Sequence, residues 1–203
     1  MKHLFILLTF SALTLKSFGQ SVDSRTKKPS LPLTVTFNTH AYSWPFVQSL
    51  VTPIQPGVKI GTEYVYSAGN AHMLLQSVNM GWFRNSDFLD AYCLNSYFTY
   101  RYTLPYQLFF DAGIGAGYLH RRHAREVFKL NDQGVYESKT DWGSSAVQVG
   151  LNLGAGYNFR VNQKQLSLLV NYEFFINYPH VKGDVPLLPH SLYHVGFRYY
   201  PFN

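Results

Sequence analysis

The sequence predicts an all-β fold, an eight-stranded antiparallel up-and-down β-barrel that spans a membrane, preceded by a cleaved signal peptide. Three observations predict it. Eight segments alternate apolar with polar or small residues at a period of two, which is the period of a β-strand. Charged residues make up 14% and aromatic residues 17% of the 203 residues, whereas soluble domains average about 25% charged. The connections between the segments alternate between short and long, which is typical of transmembrane barrels.

The segment Leu108–Tyr118 shows the alternation clearly. Its apolar face ends in an aromatic residue and consists of Leu108, Phe110, Ala112, Ile114, Ala116 and Tyr118. Its other face is polar or without a side chain, and includes Asp111, Gly113, Gly115 and Gly117. That face is too small for an ordinary wet surface, so the pattern indicates lipid outside and a lumen inside. We expect the glycines to make room in the lumen for bulky neighbours such as Tyr97, Phe109 and Phe175.

Composition excludes several classes of protein. After the N-terminus no run of about 20 apolar residues occurs, which excludes a helical membrane protein. One cysteine, Cys93, allows neither an intramolecular disulfide nor a cysteine metal cluster. The formal net charge of +6 includes Lys2 and Lys16, which belong to the segment expected to be removed. The remaining basic balance fits anionic lipid head groups and does not indicate nucleic acid as a partner.

The N-terminus predicts export. Lys2 precedes an apolar run from Leu4 to Leu15, which fits a secretory signal peptide and is too short to span a bilayer. Cleavage is expected before Gln20, with cleavage before Ser21 as the alternative. The predicted organisation is therefore a signal peptide at 1–19, a flexible lead-in at 20–31 and the barrel at 32–203.

Eight segments carry the period-two pattern and are the predicted strands. They are Leu33–Tyr42, Val58–Ser67, His72–Trp82, Leu89–Tyr102, Leu108–Tyr118, Ala146–Arg160, Leu166–Tyr178 and Tyr193–Tyr200. The third is the least regular because Gln76 falls on its apolar face. The sixth is the most regular, with Leu151 outside and Asn152 inside.

The connections sort by length. Those at 68–70, 104–105 and 161–164 are tight turns, whereas those at 42–57, 120–145 and 178–191 are long. Only the short connection at 84–87 breaks the contrast. With eight strands, both termini and every tight turn fall at one end, and in outer-membrane barrels the short turns face the periplasm.

The connection at 120–145 contains structure of its own. Val127–Leu130 and Val135–Ser138 flank a four-residue turn that ends in Gly134, which predicts a hairpin above the membrane. The alternative is a ten-stranded barrel. That alternative requires an apolar face on both segments, and Lys129 and Glu137 argue against it.

The alternation of inward and outward positions along each strand, here called parity, also places charges of both signs in the lumen. The set comprises Lys59, Glu63, Arg101, Asp111, Arg160, Glu173 and Arg198. An eight-stranded barrel is only just wide enough for its own side chains, so these charges must pair. We predict a structural ion-pair network that plugs the lumen, with Arg101 beside Asp111 and with Glu173 nearer His194 and Arg198. The alternative is a water-filled conduit lined by the same charges.

A basic stretch follows the fifth predicted strand. Arg121, Arg122, Arg125 and Lys129 are candidates for binding an anionic ligand such as the phosphates of lipopolysaccharide. A solvated loop without a ligand is the alternative. The neighbouring histidines lack regular spacing and cysteine partners, so no metal site is predicted.

The last residues alternate aromatic side chains from Tyr193 to Phe202, one position before the final Asn203. This pattern resembles the C-terminal insertion signal of bacterial outer-membrane proteins. Together with the signal peptide and the strands, the mature chain looks like a small eight-stranded barrel of the OmpA/OmpX type. The resemblance implies an outer-membrane location, a monomer, contact with outer-membrane lipids and lipopolysaccharide, and recognition of the C-terminal strand by the barrel-assembly machinery.

The resembled class includes structural anchors, adhesins, conduits and lipid A-modifying enzymes, so the class does not choose a function. We predict a structural or surface-interaction role with a closed lumen, no catalytic site and no cofactor. A lipid A acyl-chain-modifying enzyme (deacylase- or acyltransferase-like) or a small-molecule conduit is the alternative. Barrel deacylases use a histidine–serine pair, which His40 with Ser43, or His190 with Ser191 and His194, could supply. Nothing in their spacing joins them to an orienting carboxylate.

Overall fold

The computed structural model describes residues 31–42, 44, 54–86, 89–123, 127–131, 134–161, 164–179 and 187–201. The predicted signal peptide at 1–19, and the lead-in at 20–31 except Leu31, lie outside these residues. The strands are β1 Leu33–Ala41, β2 Pro56–Ala68, β3 His72–Asn85, β4 Leu89–Thr103, β5 Leu108–His123, β6 Val127–Leu130, β7 Tyr136–Lys139, β8 Ser144–Val161, β9 Lys164–Tyr178 and β10 Leu188–Tyr199.

Eight of these strands close into a barrel. Their order is β1-β10-β9-β8-β5-β4-β3-β2, and every neighbouring pair is antiparallel. Because β1 pairs with both β2 and β10, no strand of the barrel keeps an open edge. The predicted eight-stranded up-and-down fold is confirmed.

The connections lie at two ends, as the sequence predicts. The turns at 69–71 and 104–107 mark one end, where β1 begins and β10 finishes. We call this the short-turn end. The connections at 42–55, 86–88, 124–143 and 179–187 mark the opposite end, which we call the long-loop end. Among the residues described, no helix is long and apolar enough to cross a membrane.

The outer wall of the barrel is apolar. Met80 is 70% exposed, Ile114 64% and Val149 62%. Soluble proteins rarely expose so large a continuous apolar surface. Gln76, which interrupts the apolar face of β3, accepts a hydrogen bond from the Tyr66 hydroxyl and donates one of 2.8 Å to Ser96 Oγ. Its polar atoms are therefore satisfied beside lipid.

Two strands reach five residues further toward the long-loop end than predicted. β5 continues to His123, and β10 begins at Leu188, within stretches read from sequence as loops. Pro189 interrupted the sequence pattern because proline lacks an N–H donor. β9 nevertheless supplies a partner, with Ile176 opposite Pro189.

The predicted hairpin is present and forms its own two-stranded sheet from β6 and β7. The backbone N–H of Gly134 donates to the Asn131 carbonyl at 3.0 Å. Gly134 has a φ of 76°, a left-handed conformation that glycine adopts without steric cost. The ten-stranded alternative is excluded, because neither strand of the hairpin joins the barrel.

Candidate functional site

The lumen nearer the short-turn end holds a cluster of four charges, Glu63, Arg101, Asp111 and Arg198, which we call the lower network. Arg101 donates from Nε and Nη2 to Asp111 at 2.7 and 2.8 Å, and from Nη1 and Nη2 to Glu63 at 3.1 and 3.0 Å. Arg198 Nη2 lies 2.5 Å from Glu63 and 3.6 Å from Asp111. Each carboxylate therefore contacts both arginines.

The Phe109 ring packs against both arginines of the lower network, and glycines make room for this ring and for Tyr97. The guanidinium carbons of Arg101 and Arg198 lie 4.9 and 5.2 Å from the centre of the Phe109 ring, a cation–π geometry. A Cβ at Gly156 would lie 2.3 Å from that ring, and one at Gly115 would lie 2.6 Å from the Tyr97 ring. These glycines therefore make the room that the two aromatic side chains occupy.

A second cluster, the upper network, surrounds Glu173 nearer the long-loop end. Lys59 Nζ donates to one carboxylate oxygen of Glu173, and His194 Nε2 lies 3.3 Å from the same oxygen. Asn95 Nδ2 and the Tyr97 hydroxyl donate to the other oxygen at 3.0 and 2.9 Å. All five side chains are buried, and the Glu173 carboxylate is the common neighbour of the other four.

The structure brings together most, but not all, of the charges predicted to plug the lumen. Arg101 lies beside Asp111, and Glu173 beside His194, whereas Arg198 joins Glu63 instead of Glu173. Arg160 does not belong to either network, which corrects the prediction for this residue. It lies one residue before the end of β8 and is exposed, because the barrel opens there to solvent.

A polar cavity of about 30 Å³ lies beside the lower network and is lined in part by Glu63, Asp111 and Arg198. Its lining includes the oxygens Thr34 Oγ1, Asn152 Oδ1 and Asn171 Oδ1, together with Arg198 Nε and Nη1, and these atoms have no hydrogen-bond partner within the described part of the protein. A space of about 10–15 Å³ accommodates one water. Water, which both donates and accepts, is the ligand that matches this mixture of atoms.

An apolar layer crosses the lumen between the upper network and the long-loop end. Its members are buried residues of six strands: Phe83, Leu89, Ala91, Cys93, Leu119, Ala146, Phe175 and Leu192. Sequence reasoning placed Phe175 in the lumen but did not predict that it joins an apolar layer. The layer could have been found from the alternation of inward and outward positions, which assigns these residues to the lumen together with the charged residues.

Two histidines are buried within this layer. His40 Nε2 lies 2.8 Å from His190 Nδ1, and their rings stack on Phe83 and Phe175 at 4.5 and 4.6 Å. With the Asn177 amide turned to satisfy its neighbours, its oxygen accepts from His190 Nε2 at 3.0 Å. His190 Nδ1 is then the acceptor for His40 Nε2–H, so the His190 ring is neutral.

The histidine–serine pairs suggested by the family resemblance do not assemble among the residues described. Ser43 lies outside those residues. His190 and Ser191 alternate along β10, so His190 points into the lumen and Ser191 bonds Tyr172 at 2.9 Å. Sequence reasoning missed a different pair on the outer wall, His120 Nδ1 and Ser145 Oγ, which are 3.3 Å apart.

The predicted basic stretch is divided by the barrel wall. Arg121 points inward, where its Nε donates to Ser144 Oγ at 2.7 Å and its Nη2 to the Pro179 carbonyl at 3.1 Å. Arg122 points outward and is exposed. Arg125, and the side chain of Lys129, lie outside the described part of the chain. Arg121 and Arg122 therefore do not share one ligand site, because consecutive strand residues face opposite sides.

Asp141, outside the barrel at the long-loop end, accepts several hydrogen bonds. The backbone N–H of His123 donates to Oδ2 at 2.7 Å and that of Gly143 to Oδ1 at 2.9 Å. The first of these bonds is the main cause that lowers the pKa of Asp141 to about 2. Among the described residues, no group of three or more histidine, cysteine or acidic side chains is arranged to hold a metal ion.

No protein family and no curated protein matches the chain. Solved structures do match. Neisserial surface protein A is 13% identical with a TM-score of 0.51, and the match covers 84% of this chain and 95% of that one. The outer-membrane enzyme PagL is 10% identical, covers 82% and 97%, and has a TM-score of 0.48.

Ail of Yersinia pestis, solved with the heparin analogue sucrose octasulfate, is 14% identical over 84% of this chain and 95% of that chain, with a TM-score of 0.42. At TM-scores below 0.5, neither Ail nor PagL supports an argument about this protein. The match to Neisserial surface protein A extends over nearly the whole length of both chains, and at 13% identity it establishes the fold alone. The chain has the fold of the small eight-stranded membrane β-barrels, as the sequence predicts.

Proposed function

We propose that the protein is an integral outer-membrane barrel with a closed lumen, whose role is structural or carried by surfaces at its long-loop end, and which is not an enzyme. The apolar outer wall requires lipid, and the alternation of short turns and long loops is that of outer-membrane barrels. The C-terminal aromatic pattern supports recognition by the barrel-assembly machinery, and one closed barrel supports a monomer.

The packing of the lumen is the observation that carries this proposal. The lower network, the upper network and the apolar layer follow one another along the barrel axis. The residues of the apolar layer carry no charged side chain, and the two histidines among them are bonded to each other. Hydrophobic constrictions of this kind oppose the passage of hydrated ions. Solutes would have to break both ion-pair networks and the apolar layer, which argues against a conduit.

Planar-bilayer recording tests the closed lumen. We first expect the purified protein to migrate differently on a gel before and after boiling, which shows that the barrel has folded. The folded wild-type protein should then give no steady conductance. Steady, large conductance from the wild type would contradict the closed lumen, whereas absence of the gel shift would contradict the barrel itself.

A lipid acyl hydrolase is the second candidate function, favoured by His120 and Ser145 alone. The pair lies on the outer wall near the long-loop end, within reach of lipid, and the Tyr118 hydroxyl also bonds Ser145 Oγ. A nucleophile and a base also require an orienting carboxylate. Within the described part of the chain, Asp141 is bonded to His123, and no carboxylate is paired with His120.

Incubation with lipid A followed by mass spectrometry of the lipid separates the two functions. The proposal expects intact lipid A after incubation with the wild type and with Ser145→Ala. Ser191→Ala is the matched control because Ser191, like Ser145, bonds a tyrosine hydroxyl, and it is buried away from His120. Release of an acyl chain by the wild type and by Ser191→Ala, but not by Ser145→Ala, would instead establish the hydrolase.

A further inference from the structure

A row of charged residues crosses the outer wall at the long-loop end. Strand register places Arg84 opposite Asp90, and Asp90 opposite Arg122. Arg84 Nε lies 3.5 Å from Asp90 Oδ1, and the Arg84 side chain remains 49% exposed. The two arginines are two strand spacings apart, about 10 Å, so their long side chains can converge over the single carboxylate. Two positive charges and one negative charge leave this row with a surplus of +1.

The wall changes character within two rows below these arginines. The next row toward the membrane centre holds Trp82, Tyr92 and His120, and the row after it holds Met80, Leu94 and Tyr118. Tyr92 is 52% and Leu94 51% exposed. Tryptophan and tyrosine lie preferentially at the boundary between head groups and hydrocarbon. This surface therefore runs from cationic to amphipathic to apolar along a single direction.

We propose that Arg84 and Arg122 form a site on the outer wall for the phosphate of a lipid A-type lipid in the outward-facing leaflet. The site rests on the proposed outer-membrane location. Arginine is suited to phosphate because its planar fork donates two parallel hydrogen bonds. The acyl chains of the same lipid lie against Met80 and Leu94, which would otherwise face the bilayer without a specific neighbour.

The position of the site favours a lipid over a soluble anion. A free phosphate would contact the arginines alone and would leave the apolar rows below them uninvolved. A lipid contacts both, because its phosphate and its chains are covalently joined across the same boundary. Arg121 does not contribute, since it points into the lumen and bonds Ser144 and Pro179.

Native mass spectrometry of the folded protein measures this binding. The probes are bisphosphorylated lipid A, lipid A without its phosphates, phosphatidylglycerol and inorganic phosphate. We expect Arg84→Gln with Arg122→Gln to weaken retention of bisphosphorylated lipid A by about tenfold or more, as loss of charged hydrogen bonds should. Arg160→Gln is the matched control, because it removes an exposed arginine at the opposite end. Asp90→Asn should strengthen retention, since it removes the one negative charge.

The following outcomes would contradict the proposed phosphate site. The site is excluded if the wild type and the double variant retain bisphosphorylated lipid A equally. It is also excluded if lipid A without phosphates binds equally well, or if inorganic phosphate binds as tightly as lipid A. Binding of phosphatidylglycerol equal to that of lipid A would exclude selectivity for the outward-facing leaflet. A gel shift on boiling is recorded for every sample. A folded wild type that fails these tests contradicts the site alone, whereas a wild type that never folds into lipid contradicts the proposed function as well.

Discussion

The lower and upper networks of the lumen differ in how many partners each carboxylate has. In the lower network two carboxylates and two arginines contact each other in every combination. In the upper network a single carboxylate, that of Glu173, contacts Lys59, His194, Asn95 and Tyr97. Arginine can bridge two carboxylates with its fork, whereas lysine offers one point charge.

This difference predicts unequal tolerance to the loss of one group. Removal of either carboxylate from the lower network leaves both arginines in contact with the other. Removal of Glu173 leaves Lys59 without its charged partner in the part of the lumen that the structure describes. An unpaired buried charge costs more than the net strength of the bond that was removed. The upper network should therefore be the more sensitive region.

Glu173→Ala should have the largest effect, a loss of about 3–5 kcal/mol in the free energy of unfolding. The ammonium of Lys59 would remain buried without a counter-charge, and Asn95 and Tyr97 would lose their acceptor. Urea unfolding in lipid vesicles measures the change. The double variant Lys59→Met, Glu173→Gln should recover part of the loss, because no charge is then left unpaired. A loss from Glu173→Ala smaller than that from Asp111→Ala would reverse the comparison.

Asp111→Ala should cost less, about 1–3 kcal/mol, because Arg101 and Arg198 both keep Glu63. The variant leaves the lower network with one excess positive charge. Adding Arg101→Leu restores neutrality and leaves the pair of Glu63 and Arg198 intact, so the double variant should be more stable than Asp111→Ala. The same unfolding measurement checks this, and a double variant less stable than the single one would contradict the charge-balance argument.

Asp141 extends the comparison to a carboxylate outside the lumen. Its pKa in the folded protein, about 2, lies below its ordinary value, so its contribution to the loop is complete above that ordinary value. The contribution is lost as the pH falls through about 2. Fluorescence of the adjacent Trp142, in a variant with Trp44→Phe and Trp82→Phe, should stay constant down to about pH 3 and change below it. Asp141→Asn should show no transition there, and a transition near pH 4 in both proteins would contradict the assignment.

Arg160→Gln should have the smallest effect, within about 0.5 kcal/mol, because exposed substitutions away from special features rarely exceed that. Urea unfolding in vesicles again gives the value. A cost comparable to that of Asp111→Ala would show that Arg160 does contribute to the lower network.

Much of the barrel could be predicted from sequence because parity is a local property. Successive strand residues face opposite sides wherever the strand lies, so Leu151 is assigned to the wall and Asp111 to the lumen without knowledge of neighbours. The predicted positions of the strand ends were less accurate. β10 begins before Pro189, because pairing with β9 outweighs the preference of a single residue.

The pairing of the charged residues in the lumen could be predicted only in part. Arg101 and Asp111 flank one tight turn, so their contact follows from local sequence. The contact of Arg198 with Glu63 joins residues far apart in sequence, and it depends on the register across β1, which neighbours both β2 and β10. The apolar layer was missed for a related reason, since six separate strands contribute its members.

The sequence by itself determined the strand number, the two faces of every strand and the ends at which short and long connections lie, because each depends on local alternation and on counting. Only the tertiary structure decided how the lumen is filled, which arginines pair with which carboxylates, and that Arg84 and Arg122 share one patch of the outer wall. Those contacts depend on the stagger of strands around a closed barrel. Stagger is set by the hydrogen-bond register of all eight pairs together, and no single segment encodes it.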